Sequence, residues 1–329
     1  ADEEGRMRPA DEERRPLPRR LVLRLLGGDA KAPRRRGAAR LPPLLLAATA
    51  LAALCWWRGP RRPETPREAP KHEVDSSSAS CRAAALGPSP SKEQLSAEGR
   101  PLPAYMLKAA RGDEAVALRR WADTLRWRCD IGDQAILQRP HPNLERIAPH
   151  YPQFLHLPDR EGRLTYWELI GRIDQDSIMK SGLTSDDLVE HYIWSTLFTW
   201  DVAAHDDASE VTIIVDMAGF GLSTLTPTVL GIFYRVAKLL RRHFPQREHG
   251  MYFVNAPSWS EQAFNIVAPL VSQQQRDRVR LFGREATPAL LRSLIAPENL
   301  PPEYGGSGPP LGASPLELRK RRLAATGSL

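Results

Sequence analysis

"MYFVNAPSWSEQAFNIVAPL", residues 251–270, joins two apolar segments of different period. The first four residues form an uninterrupted apolar run, which predicts a short buried strand that ends at Asn255-Ala256-Pro257. In the second segment the apolar residues recur at helical spacing, and they are Phe264, Ile266, Val267, Leu270 and Val271. A strand followed by an amphipathic helix is typical of a parallel sheet, and the pattern leaves open what the apolar face of this helix covers.

The same alternation of strands and helices extends in both directions from this stretch. Strands are predicted within residues 159–171, at Val211–Asp216 and at Arg278–Gly283, and residues 139–158 are predicted to be loop. Helices are predicted after the caps Asp113 and Thr184 or Ser185, at about Thr226–His243 and at 287–295. Strands that alternate with helices predict an α/β fold with a mainly parallel sheet and helical crossovers.

The positive charge of the chain is concentrated in its first part. Residues 1–72 hold 17 Lys/Arg and 9 Asp/Glu, a balance of +8, and the rest holds 29 and 30, a balance of −1, which together give the net charge of +7. A nucleic-acid-binding domain carries a basic face on its folded part, so this class is not favoured. The cysteines Cys55, Cys81 and Cys129 lack CxxC spacing, and they are predicted to be free thiols in a reducing compartment, with no zinc site.

Residues 1–59 form a basic leader around an uncharged apolar segment, 41–57. The segment is close to the shortest length that spans a bilayer, so it is interpreted as a membrane anchor, as a targeting sequence or as a low-complexity stretch with no fixed role. If the segment spans a membrane, the excess of Arg before it favours a cytosolic N-terminus. Residues 60–103 are rich in Pro, Ser, Ala and charge, and they are predicted to be a disordered linker.

Catalytic and nucleotide-binding motifs are weak. Gly219 and Gly221 form a G-x-G without the third glycine or a following helix start, and G-x-S-x-G is absent from the sequence. His191 and His205 are interpreted as surface or cap residues, and Asp216 as the cap of a turn. The sequence therefore predicts a protein that is not an enzyme and has no metal or cofactor. It favours an apolar ligand, since much apolar surface accompanies no evident reaction.

Six segments in series resemble the Sec14-like, or CRAL-TRIO, lipid-binding family. They are "YMLKAARGDEAVALRRWADTLRWRCD" (105–130), "DREGRLTYW" (159–167), "TIIVDMAGFG" (212–221), "HFPQREHGMYFVNAP" (243–257), "APLVSQQQRDRVRLFG" (268–283) and "LIAPENLPPEYGG" (294–306). The resemblance covers about residues 104–306. It implies the CRAL-TRIO fold, with a helical N-terminal subdomain at 104–145, a lipid-binding domain at 146–306 and a gate helix over an apolar pocket. Residues 307–329 are interpreted as a basic tail.

This resemblance implies that the protein binds one phospholipid or other hydrophobic lipid in an internal pocket and transfers or presents it at membranes. The alternative is a membrane-anchored lipid sensor or scaffold for a protein partner, without transfer activity. The expected ligand is the bound lipid alone, with no cofactor and no nucleic acid, and the domain is expected to be monomeric. The protein is expected to be associated with membranes at their cytoplasmic face, or to be targeted to an organelle through its leader.

The resemblance also assigns candidate site residues. The headgroup residues are Arg111, Arg278 and Gln246. The pocket and gate residues are Val211, Ile213, Phe244, Tyr252, Phe264, Val267 and Leu270. The tail residues expected to contact a membrane are Arg319, Lys320, Arg321 and Arg322. Gln246 stands where the family has an acid, and Val211 and Ile213 stand where inositol-binding members have hydroxyl side chains, so another phospholipid, a sterol or a tocopherol-like lipid is also a credible ligand.

Overall fold

The computed structural model describes residues 76–267 and 276–328. The helices are α1 (Ala79–Ala85), α2 (Lys92–Ala97), α3 (Ala104–Ala109), α4 (Glu114–Ile131), α5 (Asp133–Leu137), α6 (Asn143–Ile147), α7 (Gln175–Lys180), α8 (Ser185–Leu197), α9 (Pro227–His243), α10 (Trp259–Val267), α11 (Thr287–Leu294) and α12 (Pro315–Thr326). The strands are β1 (Gln153–His156), β2 (Thr165–Glu168), β3 (Val211–Asp216), β4 (Glu248–Val254) and β5 (Val279–Leu281).

The five strands form one sheet in the order β1-β2-β3-β4-β5. Strand β1 is antiparallel to β2, and the pairs β2–β3, β3–β4 and β4–β5 are parallel. Helices α8, α9 and α10 lie in the connections between successive parallel strands. Each crossover leads to the next strand in the same direction across the sheet. Because such crossovers are right-handed, the three helices lie on one face of the sheet. The predicted α/β fold with a mainly parallel sheet is confirmed.

A large apolar cluster fills the space between the sheet and helices α8, α9 and α10. Its strand side includes Val215 and Phe253, and its helix side includes Ile193, Phe233 and Ala263, all buried. A second cluster lies on the other face of the sheet, and its buried members are Trp167, Leu169, Ile214, Val254, Leu291, Ile295 and Leu300. The two faces are therefore both covered, as the near-continuous apolar run of β3 requires.

The helix starts follow the cap signals of the sequence. Thr184 and Asp187 form a capping box at the start of α8, and Thr226 caps α9 with Pro227 at its first position. Asp113 accepts a hydrogen bond from the backbone N–H of Val116 at the start of α4. A side-chain oxygen at each cap accepts a hydrogen bond from an N–H group that the helix leaves unpaired. These helix starts therefore depend on residues that are close together in the sequence.

The prediction of a disordered linker at 60–103 is wrong for the part that the structure describes. Helices α1 and α2 lie in it, and their buried residues Ala83 and Leu95 pack in one cluster with Met106, Trp121 and Leu125. These helices are six and seven residues long, and they present too few apolar residues to show a period. The helical N-terminal subdomain therefore extends upstream of residue 104.

The prediction of free thiols is also wrong for two of the three cysteines. Cys81 of α1 and Cys129 of α4 form a disulfide across a sequence separation of 48, with Cα atoms 4.7 Å apart. That Cα distance lies within the range that a disulfide can bridge. Spacing in the sequence carries no sign of this pairing, because it depends on how α1 lies against α4.

Two further regions differ from the predictions. The stretch 139–158, predicted to be loop, contains α6 and the edge strand β1. The predicted basic tail contains α12, which packs against β1 and buries Leu323 and Ala324. The leader 1–59, with its apolar segment 41–57, lies outside the described residues. Among the helices that the structure describes, none is long and apolar enough to cross a membrane.

Candidate functional site

The predicted gate helix begins in α10 and covers the larger apolar cluster. Ala263 is fully buried, and Phe264 and Trp259 pack against the cluster. The ring of Trp259 also lies 6.1 Å from that of Phe220, in the turn after β3. The side chain of Val267, and Leu270 altogether, lie outside the described residues. In this structure the apolar face of α10 therefore covers the core on the helix-bearing face of the sheet.

The predicted pocket residues divide between the two faces of the sheet. Ile213 and Phe244 belong to the cluster beneath α10. Val211 is buried at the start of β3, where the pairing with β4 shifts its register. Tyr252 is in register with Ile214, which belongs to the cluster on the opposite face. The assignment of Tyr252 to the same pocket wall as Ile213 is therefore wrong, because side chains alternate along a strand.

A buried polar group, the Glu168 triad, lies inside the larger apolar cluster. The hydroxyls of Tyr151 and Tyr192 both donate hydrogen bonds to Oε1 of Glu168 and also contact each other. All three residues are less than a tenth exposed. Burial raises the pKa of Glu168, and the two tyrosine hydrogen bonds oppose that rise. The sequence predictions missed this triad. A carboxylate within the apolar strand "TYWEL" was the available signal.

The predicted headgroup residues Arg278 and Gln246 are brought together. The Nη2 of Arg278 donates to Oε1 of Gln246 at 2.6 Å, and its Nη1 donates to the backbone oxygen of Glu248 at 2.8 Å. Gln246 and Arg278 precede the neighbouring parallel strands β4 and β5, so they meet at the amino-terminal edge of the sheet. The Glu248 carboxylate lies 3.6 Å from Arg278, and burial raises its pKa.

Arg111 does not join this pair in the described structure. It is exposed in the turn between α3 and α4, at φ 57°. The cation that α3 contributes to this region is Lys108, which pairs with Glu210 just before β3. Burial raises the pKa of Glu210, but the hydrogen bond and charge of Lys108 outweigh it and lower the pKa overall.

The helical N-terminal subdomain is attached through the residues Trp127 and Arg128. The buried guanidinium of Arg128 bonds both carboxylate oxygens of Asp201, at 2.8 and 3.1 Å, and lies 3.0 Å from Asp133. Trp127 stacks on His243 with ring centroids 4.1 Å apart. These contacts fix α4 against the end of α9 and the segment after α8.

The acids and histidines considered for catalysis have structural roles. Asp216 accepts hydrogen bonds from the N–H of Ala218, from Asn255 and from Tyr304, so the predicted turn cap is confirmed. His205 is exposed, but His191 is buried and lies 3.0 Å from His141, so its prediction as a surface or cap residue is wrong. Among the described residues no group of three or more metal-ligating side chains is placed to hold an ion.

The tail cations are placed differently from the prediction. Lys320 is 3% exposed and pairs with the buried Glu317 at 2.9 Å, so its assignment as a membrane contact is wrong. Arg321 bonds the carboxylate of Glu145 at 2.9 and 3.0 Å. Arg319 and Arg322 are exposed. Some cations of α12 therefore face the domain and others face solvent. A run of charged residues in the sequence does not show which cation faces which way.

Part of the chain matches a known protein family. Residues 148–306 match the family model described as CRAL/TRIO domain. Two Arabidopsis thaliana proteins, phosphatidylinositol/phosphatidylcholine transfer proteins SFH7 and SFH12, are each 26% identical over 209 residues, which are 61% of this chain and 38% of theirs. The SEC14 cytosolic factor of Candida glabrata is 24% identical over 208 residues, covering 61% of this chain and 68% of that protein.

A solved structure supports the same fold. The crystal structure of Sfh5 superimposes with a TM-score of 0.50 at 16% identity, covering 65% of this chain and 77% of that chain. At this identity the likeness concerns the fold alone. The chain spans 38% of the length of the two plant relatives, so their activities are not carried over as whole-protein properties.

Proposed function

Because residues 148–306 form a CRAL/TRIO domain of the Sec14-like kind, we propose that the protein binds one amphipathic lipid and transfers it between membranes. The lipid would occupy the space between the sheet and helices α8, α9 and α10, and α10 would move as the gate. The observation that carries the proposal is the Glu168 triad inside the larger apolar cluster. The protein would meet membranes peripherally while it exchanges the lipid.

The composition of this space suits a ligand with one polar end and long apolar chains. Each buried CH₂ contributes about 0.8 kcal/mol, so an acyl chain of a dozen carbons supplies roughly 10 kcal/mol before the costs of binding. When α10 moves, acyl chains would replace its own apolar residues Ala263 and Phe264 against the cluster, as a lid requires. Burying a carboxyl group is unfavourable unless it is hydrogen-bonded, and the two tyrosine hydroxyls provide these hydrogen bonds to Glu168. The triad would therefore be a polar position for the headgroup inside the apolar space.

The chemistry of the triad favours a choline headgroup over an inositol. A quaternary ammonium is attracted by a carboxylate and by aromatic rings. Glu168 provides the carboxylate, and Tyr151 and Tyr192 are the aromatic residues hydrogen-bonded to it. At the two positions where inositol-binding members of the family carry hydroxyl side chains, Val211 and Ile213 provide no hydrogen bond to an inositol. The two plant relatives are named for transfer of both phospholipids, and we propose phosphatidylcholine as the ligand here.

The test is lipid transfer between vesicles by the full chain. Donor vesicles would carry fluorescent phosphatidylcholine or phosphatidylinositol, and native mass spectrometry would identify any lipid that stays bound after purification. We expect faster transfer of phosphatidylcholine, and Glu168→Gln should slow it by about tenfold, since bonds to a charged group contribute about 1.5–3 kcal/mol. Glu161→Gln, at a side chain 69% exposed, is the matched control.

The outcomes separate transfer from the alternative of a lipid sensor or scaffold. A protein that carries no lipid and transfers neither phospholipid contradicts the proposal. Transfer of phosphatidylinositol alone would contradict the choice of headgroup while leaving lipid transfer in place. Equal transfer by Glu168→Gln and Glu161→Gln would show that the Glu168 triad does not contact the headgroup.

A further inference from the structure

The outer face of α9 carries a line of exposed cations and one exposed aromatic ring. Its exposed side chains in the last three turns are Tyr234, Arg235, Lys238, Arg241 and Arg242. Spacings of three and four residues place them along one face of a helix. The helix "PTVLGIFYRVAKLLRRH" contains no Asp or Glu, so its own sequence does not neutralise this face.

The opposite face of the same helix forms one wall of the proposed lipid-binding space. Val229, Ile232, Phe233 and Val236 are buried in the larger apolar cluster. One rigid helix of 17 residues therefore has the cationic face outside and the apolar wall inside. A surface that rests on the outer face lies one helix diameter from this space.

The acids that pair with Arg235 and Arg242 neutralise these two cations only weakly. Arg235 pairs with Asp186 at 2.6 Å, but the two side chains are 45% and 73% exposed. Arg242 is 59% exposed, and its Nη2 lies 3.9 Å from Asp123, at the limit of an ion pair. Exposed pairs of this kind contribute little energy and exchange readily for another anion.

We propose that the α9 face, defined by Tyr234, Lys238, Arg241 and Arg242, docks on an anionic membrane surface. Charge complementarity supplies the attraction, since Lys and Arg near an anionic leaflet each contribute to binding. Tyr234, 45% exposed beside these cations, has the amphipathic ring that is enriched at membrane interfaces. The leader is excluded as the occupant of this face because residues 1–72 carry a balance of +8.

A membrane fits this face better than a nucleic acid or an acidic protein does. The chain after residue 72 has a balance of −1, so it lacks the overall basicity that nucleic-acid binding uses. Membrane docking also places the bilayer beside a helix that forms one wall of the proposed lipid-binding space. The inference goes beyond the proposed function because docking requires no bound lipid and does not depend on the headgroup.

The experiment is co-sedimentation of the full chain with vesicles of phosphatidylcholine alone and of phosphatidylcholine with phosphatidylserine in a two-to-one ratio. The variant Lys238→Gln/Arg242→Gln removes two charges from the α9 face. The control Lys180→Gln/Arg139→Gln removes the same two charge types from exposed positions elsewhere. The leader is present in every protein, so its own binding cancels in the comparison. Thermal unfolding checks that each variant is folded.

We expect the α9 variant to bind the anionic vesicles roughly 25-fold more weakly, about fivefold for each cation, while the control binds like the unaltered chain. High salt should remove the difference, because exposed charges are screened. Tyr234→Ser should weaken the binding without changing its salt dependence. Transfer between phosphatidylcholine vesicles, which tests the proposed function, should be unchanged in the α9 variant.

Three results would overturn the proposal. Equal losses in the α9 variant and the control would show unspecific attraction, and no loss in either would show that the face is not used. A loss of binding to a homopolymeric RNA, with vesicle binding intact, would assign the face to nucleic acid. None of these results bears on lipid transfer, so docking and transfer can fail independently.

Discussion

Reduction of the Cys81–Cys129 disulfide is expected to lower the free energy of unfolding by about 4 kcal/mol. The bond closes a loop with a sequence separation of 48, and the chain-entropy relation for that length gives about 4 kcal/mol at 25 °C. The effect acts mainly on the unfolded chain, which loses freedom when α1 is tied to α4. The magnitude is an upper estimate because structure that persists in the reduced unfolded chain diminishes it.

The measurement is guanidinium unfolding of the full chain with and without a reductant. For a protein of this size the midpoint should fall by on the order of 1 M on reduction. The double variant Cys81→Ala/Cys129→Ala should unfold at a lower midpoint and be insensitive to reductant. Thiol titration in denaturant should find one reactive thiol, since the chain has three cysteines and two are bonded.

Two results would refute this reasoning. Three reactive thiols in protein purified without reductant would mean that the disulfide does not form. A disulfide that forms but leaves the midpoint unchanged on reduction would mean that α1 stays fixed by the packing of Ala83 and Leu95 even in the unfolded state, and the entropic argument would be wrong.

Three more predictions concern buried positions. Arg128→Met should lower the free energy of unfolding by at most about 3–5 kcal/mol, because it removes the closer of the two cations that pair with the buried Asp133 and leaves only Arg100, at 3.4 Å. Gly171→Ala should lower it by about 2 kcal/mol or more, since its Cβ would lie 1.9 Å from a backbone oxygen. Burial lowers the pKa of His243 to about 3. Between about pH 6.5 and pH 3 the unfolded chain therefore binds a proton that the folded protein does not. As the pH is lowered through this range, the free energy of unfolding should fall by about 1.4 kcal/mol per pH unit. Denaturant unfolding measures all three, the last as a function of pH.

Each of these predictions has a matched control. Arg126→Met removes an exposed ion pair and should cost less than about 1 kcal/mol, so an equal cost at both arginines contradicts the role of burial. Gly231→Ala, in the open middle of α9, should raise stability by about 0.5–1 kcal/mol, and a loss there would refute the steric account of Gly171→Ala. His243→Phe should reduce the fall of stability with acidity, and an unchanged slope would show that His243 is not responsible for it.

The parts of the fold that the sequence predicted well are those with a strong local signal. Strand β3 was predicted at its observed bounds because six residues of apolar and β-branched character stand between turn residues. Helix α9 was predicted at about Thr226–His243 from a sustained apolar period. Short elements were missed because one or two apolar residues establish no period, as in α1, α2 and the four-residue strand β1.

The candidate site was predictable where it depends on chain order and unpredictable where it depends on facing elements. Gln246 and Arg278 were found through the resemblance, and parallel neighbouring strands do bring them together. The Glu168 triad was missed because Tyr151, Glu168 and Tyr192 come from three elements that meet only in the packed core. Tyr252 was misplaced because the pairing register, and not composition, decides the face of the sheet.

The sequence by itself determined the order of elements, the helix caps and the likeness to CRAL/TRIO proteins, because these depend on residues close together in the chain. The tertiary structure alone decided that Cys81 meets Cys129 and that Lys320 is buried against Glu317. It also decided that the cations of α9 share an exposed face behind an apolar wall. The disulfide joins residues 48 apart in the chain, and the burial of Lys320 and of the inner face of α9 depends on what packs against each helix, which a linear sequence does not contain.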